Sequence, residues 1–268
     1  MLDALATQSP APDEVIVVDD ASTDATATRA EERHARIVTP KERRYAGGAR
    51  NAGWDAVAPD VDLVVFLDAD VVPAPGWGAA VVAAAAEFPN ALIGSGRTFT
   101  ATTAWGWVAH LQIETPFLAR GEPRETTFVS SFCMVVPRDA PLRWPESYGG
   151  EDAFFCADAR AAGLRVVFDP RIVAAHEHGR STFADLRAQQ RRFALGHARA
   201  AGTAALGTVR SLRARVPIHY FLLLRLPVIY RRVADDPELR RRFLTALPLL
   251  AVAEWTLGAS MLRQAAHR

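Results

Sequence analysis

The sequence predicts an α/β fold: a mostly parallel sheet with helices on both faces, followed by apolar helices at the carboxyl end. Three observations predict it. Apolar runs of strand length, at 14–18, 63–67 and 91–95, alternate with segments of helical length. The runs are continuous rather than alternating, as strands covered on both faces require. Acids close two of them, Asp19-Asp20 after the first and Asp68-Ala69-Asp70 after the second. In open α/β sheets such strand ends face the ligand crevice.

The elements follow in order. Residues 14–18 read as a strand, and 21–24 as a turn in which Ser22 or Thr23 caps a helix reaching His34. Residues 36–38 are a short strand, 40–48 a loop and 49–57 a helix. The strand ending at Asp68 leads into a loop with Pro73 and Pro75, an alanine-rich helix at 76–87 and a strand at 91–95. An apolar helix with Trp105 and Trp107 spans 101–118, and 128–136 is a strand. Residues 151–162 are helical, 164–168 and 172–175 are short strands, and 183–201 is a helix. Beyond Gly202, apolar helices at 217–230 and 243–262 flank an arginine-rich connector. The expected division is an α/β domain over 1–201 and a helical appendage over 202–268.

Composition narrows the partners. The 268 residues suit one large domain with an appendage, and a net charge of +1 argues against a nucleic-acid footprint. The charge is uneven: between Arg180 and Arg242 fourteen arginines face four acids, a balance suited to an anionic surface. Cys133 and Cys156 give no disulfide framework and imply a reducing compartment. Residues 1–10 lack the basic start of a secretory leader. Residues 244–262 contain Pro248 and Glu254 and are marginal in length for a span, so they read as an amphipathic or partly buried helix.

Four acidic or histidine-bearing sites carry the chemistry. Asp68 and Asp70 abut a buried strand, where paired carboxylates repel each other unless a hard divalent cation joins them. The plain reading of Asp19-Asp20 is a capping turn, compatible with ligand contact. The plain reading of Glu151-Asp152 is acidic charge at a helix start. His176-Glu177-His178 follows a strand and adds imidazole. Asp68-Ala69-Asp70-Val71-Val72 also fits the Asp-x-Asp string of haloacid dehalogenase-type phosphatases. That chemistry, like that of receiver domains, needs a lysine downstream, and the single lysine, Lys41, lies upstream.

In order and spacing these motifs resemble the family 2 glycosyltransferases of GT-A fold. The matching text is the run from Asp13 to Asp24, Gly47-Gly48-Ala49-Arg50-Asn51-Ala52-Gly53, the run from Val64 to Asp70, and the Glu151-Asp152 motif with its helix, continuing to Asp169-Pro170 and His176. The resemblance covers about residues 1–200 and names neither donor nor acceptor. It implies an inverting transfer from a nucleoside diphosphate sugar, UDP-linked by family weight, to an acceptor hydroxyl. Asp152 is then the general base and Glu151 orients it. Asp19, Asp20, Arg50, Asn51 and Asp68 surround the nucleotide sugar. Asp70, Asp68 and His176 hold Mn2+ or Mg2+.

The sequence departs from the family in two places. Members open with a strand and a proline turn before the first helix, whereas Met1 to Gln8 resembles the tail of that helix. A start upstream of Met1 is the expectation. Gln189-Gln190-Arg191-Arg192-Phe193 is similar to the Gln-x-x-Arg-Trp motif of processive synthases, which would put Gln189 and Arg192 near acceptor or diphosphate. Its plain reading is a basic helix face. The expected setting is cytoplasmic, peripheral at the plasma membrane. The competing expectations are a non-catalytic relative that binds nucleotide or a partner, and the phosphatase.

Overall fold

The computed structural model describes residues 1–99, 101–146, 149–201, 203 and 217–266. The chain forms two compact units. The first comprises residues 1–98 and 119–176, the second 99–118 and 177–268. The expected boundary at 201/202 rested on a change of composition, whereas these units are defined by packing; Gly202 itself lies outside the described residues.

The first unit is α/β. Its elements are α1 (Leu2–Ala6), β1 (Ile16–Val18), α2 (Thr26–Glu31), β2 (Arg36–Val38), α3 (Tyr45–Asp55), β3 (Leu63–Leu67), β4 (Val71–Pro73), α4 (Trp77–Glu87), β5 (Ala91–Thr98), β6 (Arg124–Glu125), β7 (Cys133–Pro137), α6 (Glu151–Ala161) and β8 (Arg165–His176). The second holds α5 (Ala104–Ile113), a 3-10 turn (Thr115–Phe117), α7 (Phe183–Ala200), α8 (Ile218–Phe221), α9 (Leu226–Val233) and α10 (Pro237–Ala266).

The α/β architecture is the expected one, but strand pairing is more mixed than a mostly parallel sheet. β1 and β2 form a parallel pair of their own. The larger sheet runs β3-β7-β5-β8-β4, with β6 also on β8. Within it β5 and β8 are parallel, while β3/β7, β5/β7, β4/β8 and β6/β8 are antiparallel. The alternation of strand and helix predicts parallel crossovers, and the α2 connection supplies one. Pairing between strands distant in sequence leaves no local signature, so β7 could not be placed from its residues.

β5 sits between β7 and β8, which is why its apolar run reads as continuous: Leu92 and Ile93 are buried together with Val135 and Val167. Each such side chain contributes roughly 1.5–3 kcal/mol of burial. The two expected strands at 164–168 and 172–175 are one, β8, whose pairing with β5 slips after Ser95. α2 starts at Thr26 rather than after Ser22, because the Asp24 carboxylate accepts the Thr26 N–H at 3.0 Å. α3 begins at Tyr45, inside the expected loop, because Asp20 accepts the Arg44 and Tyr45 N–H groups at 2.6 and 2.7 Å.

In the second unit α10 runs through Pro248. Its inner face (Phe243, Ala246, Leu250, Ala253, Leu257) is buried. α7 opens on a capping box between Thr182 and Asp185. Both cysteines are buried and free.

Candidate active site

The site assembles at strand ends of the first unit. β3 delivers Asp68, whose N–H is pinned to the Phe132 carbonyl at 2.9 Å. α3 points Arg50 at it: Nη2 donates to Asp68 Oδ1 at 2.7 Å and to Ser131 Oγ at 3.1 Å, and Nη1 reaches Glu151 Oε1 at 3.2 Å. The guanidinium also lies 4.6 Å from the centre of the Trp144 ring. Burial works against this charge, but Asp68 and then Glu151 outweigh it and hold Arg50 above its usual range. α3 gets this close to the 140s segment because residue 47 is glycine; a Cβ there would lie 2.0 Å from the Pro145 carbonyl oxygen.

Glu151 and Asp152 open α6 behind Gly150, whose φ of +80° suits only glycine comfortably. Burial, then the Glu151 charge, push the Asp152 carboxyl up to about 7, against the pull of Arg50, the Ala153 amide and Arg97. Its surface is partly open to solvent while the surrounding protein is dense enough for desolvation to dominate.

Asp70 and His176 meet: Oδ2 and Nε2 are 3.5 Å apart, with Asp70 half-exposed and His176 nearly covered. β4 pairs with the end of β8, placing Val71 opposite His176. A carboxylate oxygen and an imidazole nitrogen at this spacing can both contribute to holding a divalent cation. Asp68 is turned to Arg50 rather than into this pair.

The remaining candidates fall differently. The Ser22 hydroxyl, and then the Ser22 N–H that Asp19 accepts at 2.8 Å, hold the Asp19 carboxyl below the usual range. Asp20 caps α3, so its role is in the turn. Asn51 is buried, and its amide exchanges two 2.9 Å hydrogen bonds with the Trp144 backbone, which hold that segment against α3. Gln189 and Arg192 lie on α7 in the second unit, Gln189 half-buried and Arg192 exposed. The buried glutamine of that motif is Gln190, bonded to Gln112 at 3.1 Å and to the Ala253 carbonyl at 2.9 Å.

His176 and His178 part company. His178 belongs to the second unit, where ligand atoms of His110, Glu114 and His178 lie within 4.8 Å of one another. The His110 and His178 rings are stacked at 4.0 Å, and Phe99 stacks on His110 at 4.4 Å. Imidazole lone pairs lie in the ring plane, so these stacked rings fit a shared cation less well than the Asp70–His176 pair does.

Sequence reasoning missed Ser131, Trp144 and Arg97. Arg97 is buried near the end of β5, 3.9 Å from the Phe132 ring centre, and its charge acts on Asp152. Its position near the end of an apolar strand was the available signal, the same one that exposed the aspartates.

The mixed α/β fold is that of the GT-A glycosyltransferases. Residues 1–141 match the family described as glycosyl transferase family 2, so the chain belongs to that family. Among solved structures it is similar to a mannosyltransferase, PcManGT from Pyrobaculum calidifontis, in complex with GDP-Man and Mn2+ (21% identity, 99% of this chain and 81% of that one, TM-score 0.62). It is also similar to S. aureus TarS 1-349 in complex with UDP (16% identity, 99% and 85%, TM-score 0.50) and with UDP-GlcNAc (16%, 99% and 86%, 0.50). At these identities the likeness establishes the fold. No curated protein matches the chain.

Proposed function

We propose that the chain moves a sugar from a nucleoside diphosphate sugar to an acceptor hydroxyl with inversion at the anomeric carbon. The observation that carries this reading is Asp152, a carboxyl raised to about 7 beside Glu151 at the start of α6. A base of that strength takes a hydroxyl proton near neutral pH and can return it. The acceptor oxygen forms a bond to the anomeric carbon as the carbon–oxygen bond to the diphosphate breaks. The hydroxyl proton passes to Asp152 and the bonding electrons leave with the nucleotide. Arg50 holds Glu151 and Asp68 in place around this centre. Asp70 and His176 would hold Mn2+ or Mg2+, which supplies charge neutralisation to the diphosphate.

The nucleotide sugars in the structural neighbours support a nucleotide-sugar donor, but they differ in base and sugar, so UDP rests on family weight. Family membership displaces the phosphatase reading. A panel of nucleotide sugars tested with and without Mn2+ decides the function. Metal-dependent transfer from one donor is expected; donor binding without transfer or hydrolysis would favour the non-catalytic reading. Asp70→Ala and His176→Ala should each weaken Mn2+-dependent nucleotide affinity at least about tenfold by calorimetry, and unchanged affinity would remove the metal role.

We further propose peripheral attachment at the cytoplasmic face of the plasma membrane, with an envelope acceptor; what supports contact with a bilayer is the exposed apolar face of α10. The outer face of α10 exposes Leu244, Leu247, Val252, Trp255 and Leu262, with exposed Arg240 and Arg241 before them and Arg263 after. α10 is long and apolar enough to cross a membrane by length and composition. Its opposite face, however, is packed and carries Glu254 paired with Arg225, which suits a helix lying in the interface. Flotation with phosphatidylglycerol vesicles should carry the chain, and Val252→Glu with Trp255→Glu should abolish it; flotation unaffected by these changes would refute the placement.

A further inference from the structure

In the second unit a basic edge runs beside the exposed apolar face of α10. Arg187 and Arg191 stand four residues apart on α7, on successive turns of one face, with Cβ atoms about 6 Å apart. Arg187 Nη1 donates to the Thr256 carbonyl of α10 at 3.0 Å, which fastens this edge of α7 to that helix. Arg263 follows Thr256 by seven residues, two turns further along the same side of α10. Arg191 and Arg263 are exposed, and Arg187 is partly buried. Among the described residues none of the three makes an ion pair. Acids of the same unit are engaged elsewhere: Glu254 by Arg225, Glu238 by Arg242 and Asp185 by the Thr182 cap. Burial, and then the charges of Arg191 and Arg263, hold the Arg187 guanidinium below its usual range. Like charges gathered in this way repel one another until an anion joins them.

The surroundings identify the anion. Trp255 and Leu262 come one residue before Thr256 and Arg263, so exposed apolar side chains lie about 100° round α10 from the arginine edge. The Trp255 indole donates to the Phe221 carbonyl at 3.0 Å, and beyond Phe221 the exposed Leu222 and Leu224 extend the apolar surface. An anion held by these arginines is bordered by apolar surface, which is the setting of a lipid headgroup and not of a soluble ion. The charge narrows the headgroup. A phosphate diester carries one negative charge and two free oxygens. A phosphate monoester carries nearly two charges and three terminal oxygens, a better match to three guanidinium forks.

From this geometry we propose that Arg187, Arg191 and Arg263 form a binding site for the phosphate monoester headgroup of a membrane lipid. The proposal rests on the reading of α10 as a helix lying in the interface, and adds which headgroup that surface selects. Lipid phosphate here brings the anion to the arginines while Trp255 and Leu262 enter the acyl boundary beside it.

Vesicles of phosphatidylcholine mixed with either phosphatidic acid or phosphatidylglycerol, matched in total negative charge, test this by flotation of the whole chain. Affinity at least about tenfold higher for the phosphatidic acid vesicles is expected. Arg191→Gln with Arg263→Gln should erase that preference, while binding to phosphatidylglycerol persists through the apolar face and the exposed Arg240 and Arg241. Arg191→Lys with Arg263→Lys keeps the charge but should lose most of the preference, because an ammonium does not grip two phosphate oxygens as a guanidinium does. Equal affinity for the two vesicles, or a preference that survives the glutamine pair, overturns the headgroup site and leaves attachment through α10 standing. Failure to float with either vesicle overturns both. Glycerol 3-phosphate bound in calorimetry as tightly as the phosphatidic acid vesicles would assign the cluster to a soluble phosphate ester and overturn the proposal as well.

Discussion

Arg50 donates to Asp68 at 2.7 Å, so the first carboxylate of the Asp68/Asp70 pair faces a guanidinium and the second faces His176. Repulsion between the two acids is thus relieved from two directions. Arg50→Ala leaves Asp68 and Glu151 without their shared cation in a partly buried place. It should cost about 3 kcal/mol of stability, read by urea denaturation, and should also depress donor binding. Arg50→Lys should recover only part of either, because one ammonium cannot span Asp68, Ser131 and Glu151 together.

Asp152→Asn should abolish transfer while leaving nucleotide affinity nearly intact, measured by turnover and calorimetry on the same protein. The raised carboxyl also predicts a stability effect. Folding lifts its pKa from the ordinary 3.8 to about 7, so the folded state holds this proton more tightly. Stability is therefore lost as pH climbs from about 4 to 7. Asp152→Asn should raise Tm at pH 8 and gain nothing near pH 4. In the wild type the acid limb of kcat/KM should sit near pH 7.

Arg97 favours the charged form of Asp152. Arg97→Met should shift the acid limb of the pH–rate profile to higher pH, with Arg97→Lys restoring it. A limb that stays near 7 in Arg97→Met would limit this residue to packing against Phe132.

In the second unit Arg225 bonds Glu254 at 3.0 and 3.3 Å and the Gln112 carbonyl at 2.6 Å. Burial raises the Glu254 carboxyl above its usual range despite Arg225. Arg225→Met should destabilise the chain by about 3 kcal/mol at pH 8. The penalty should shrink as pH falls, because protonating Glu254 removes the uncompensated charge. Glu254→Gln should cost far less than Arg225→Met, since an amide oxygen still accepts from Gln112.

Much of the site was legible in the residues. Asp68 and Asp70 stood out because charged groups at the end of an apolar run have few structural explanations, and strand ends in this fold face the crevice; Glu151 and Asp152 read alone as helix-start charge and entered only through the family resemblance. What eluded the reading was whatever depends on partners remote in sequence. Asn51 lies next to Arg50 yet turns to Trp144. His178 lies two residues from His176 yet packs with His110 and Glu114 in the other unit.

The sequence by itself determined the elements and the chemistry available to them, because the lengths of apolar runs and the residues that end them are local properties. Only the tertiary structure decided that β3 pairs with β7, and that Arg50 takes Asp68 while His176 takes Asp70. Those outcomes follow from which surfaces exclude water together, and that is settled by the whole chain at once.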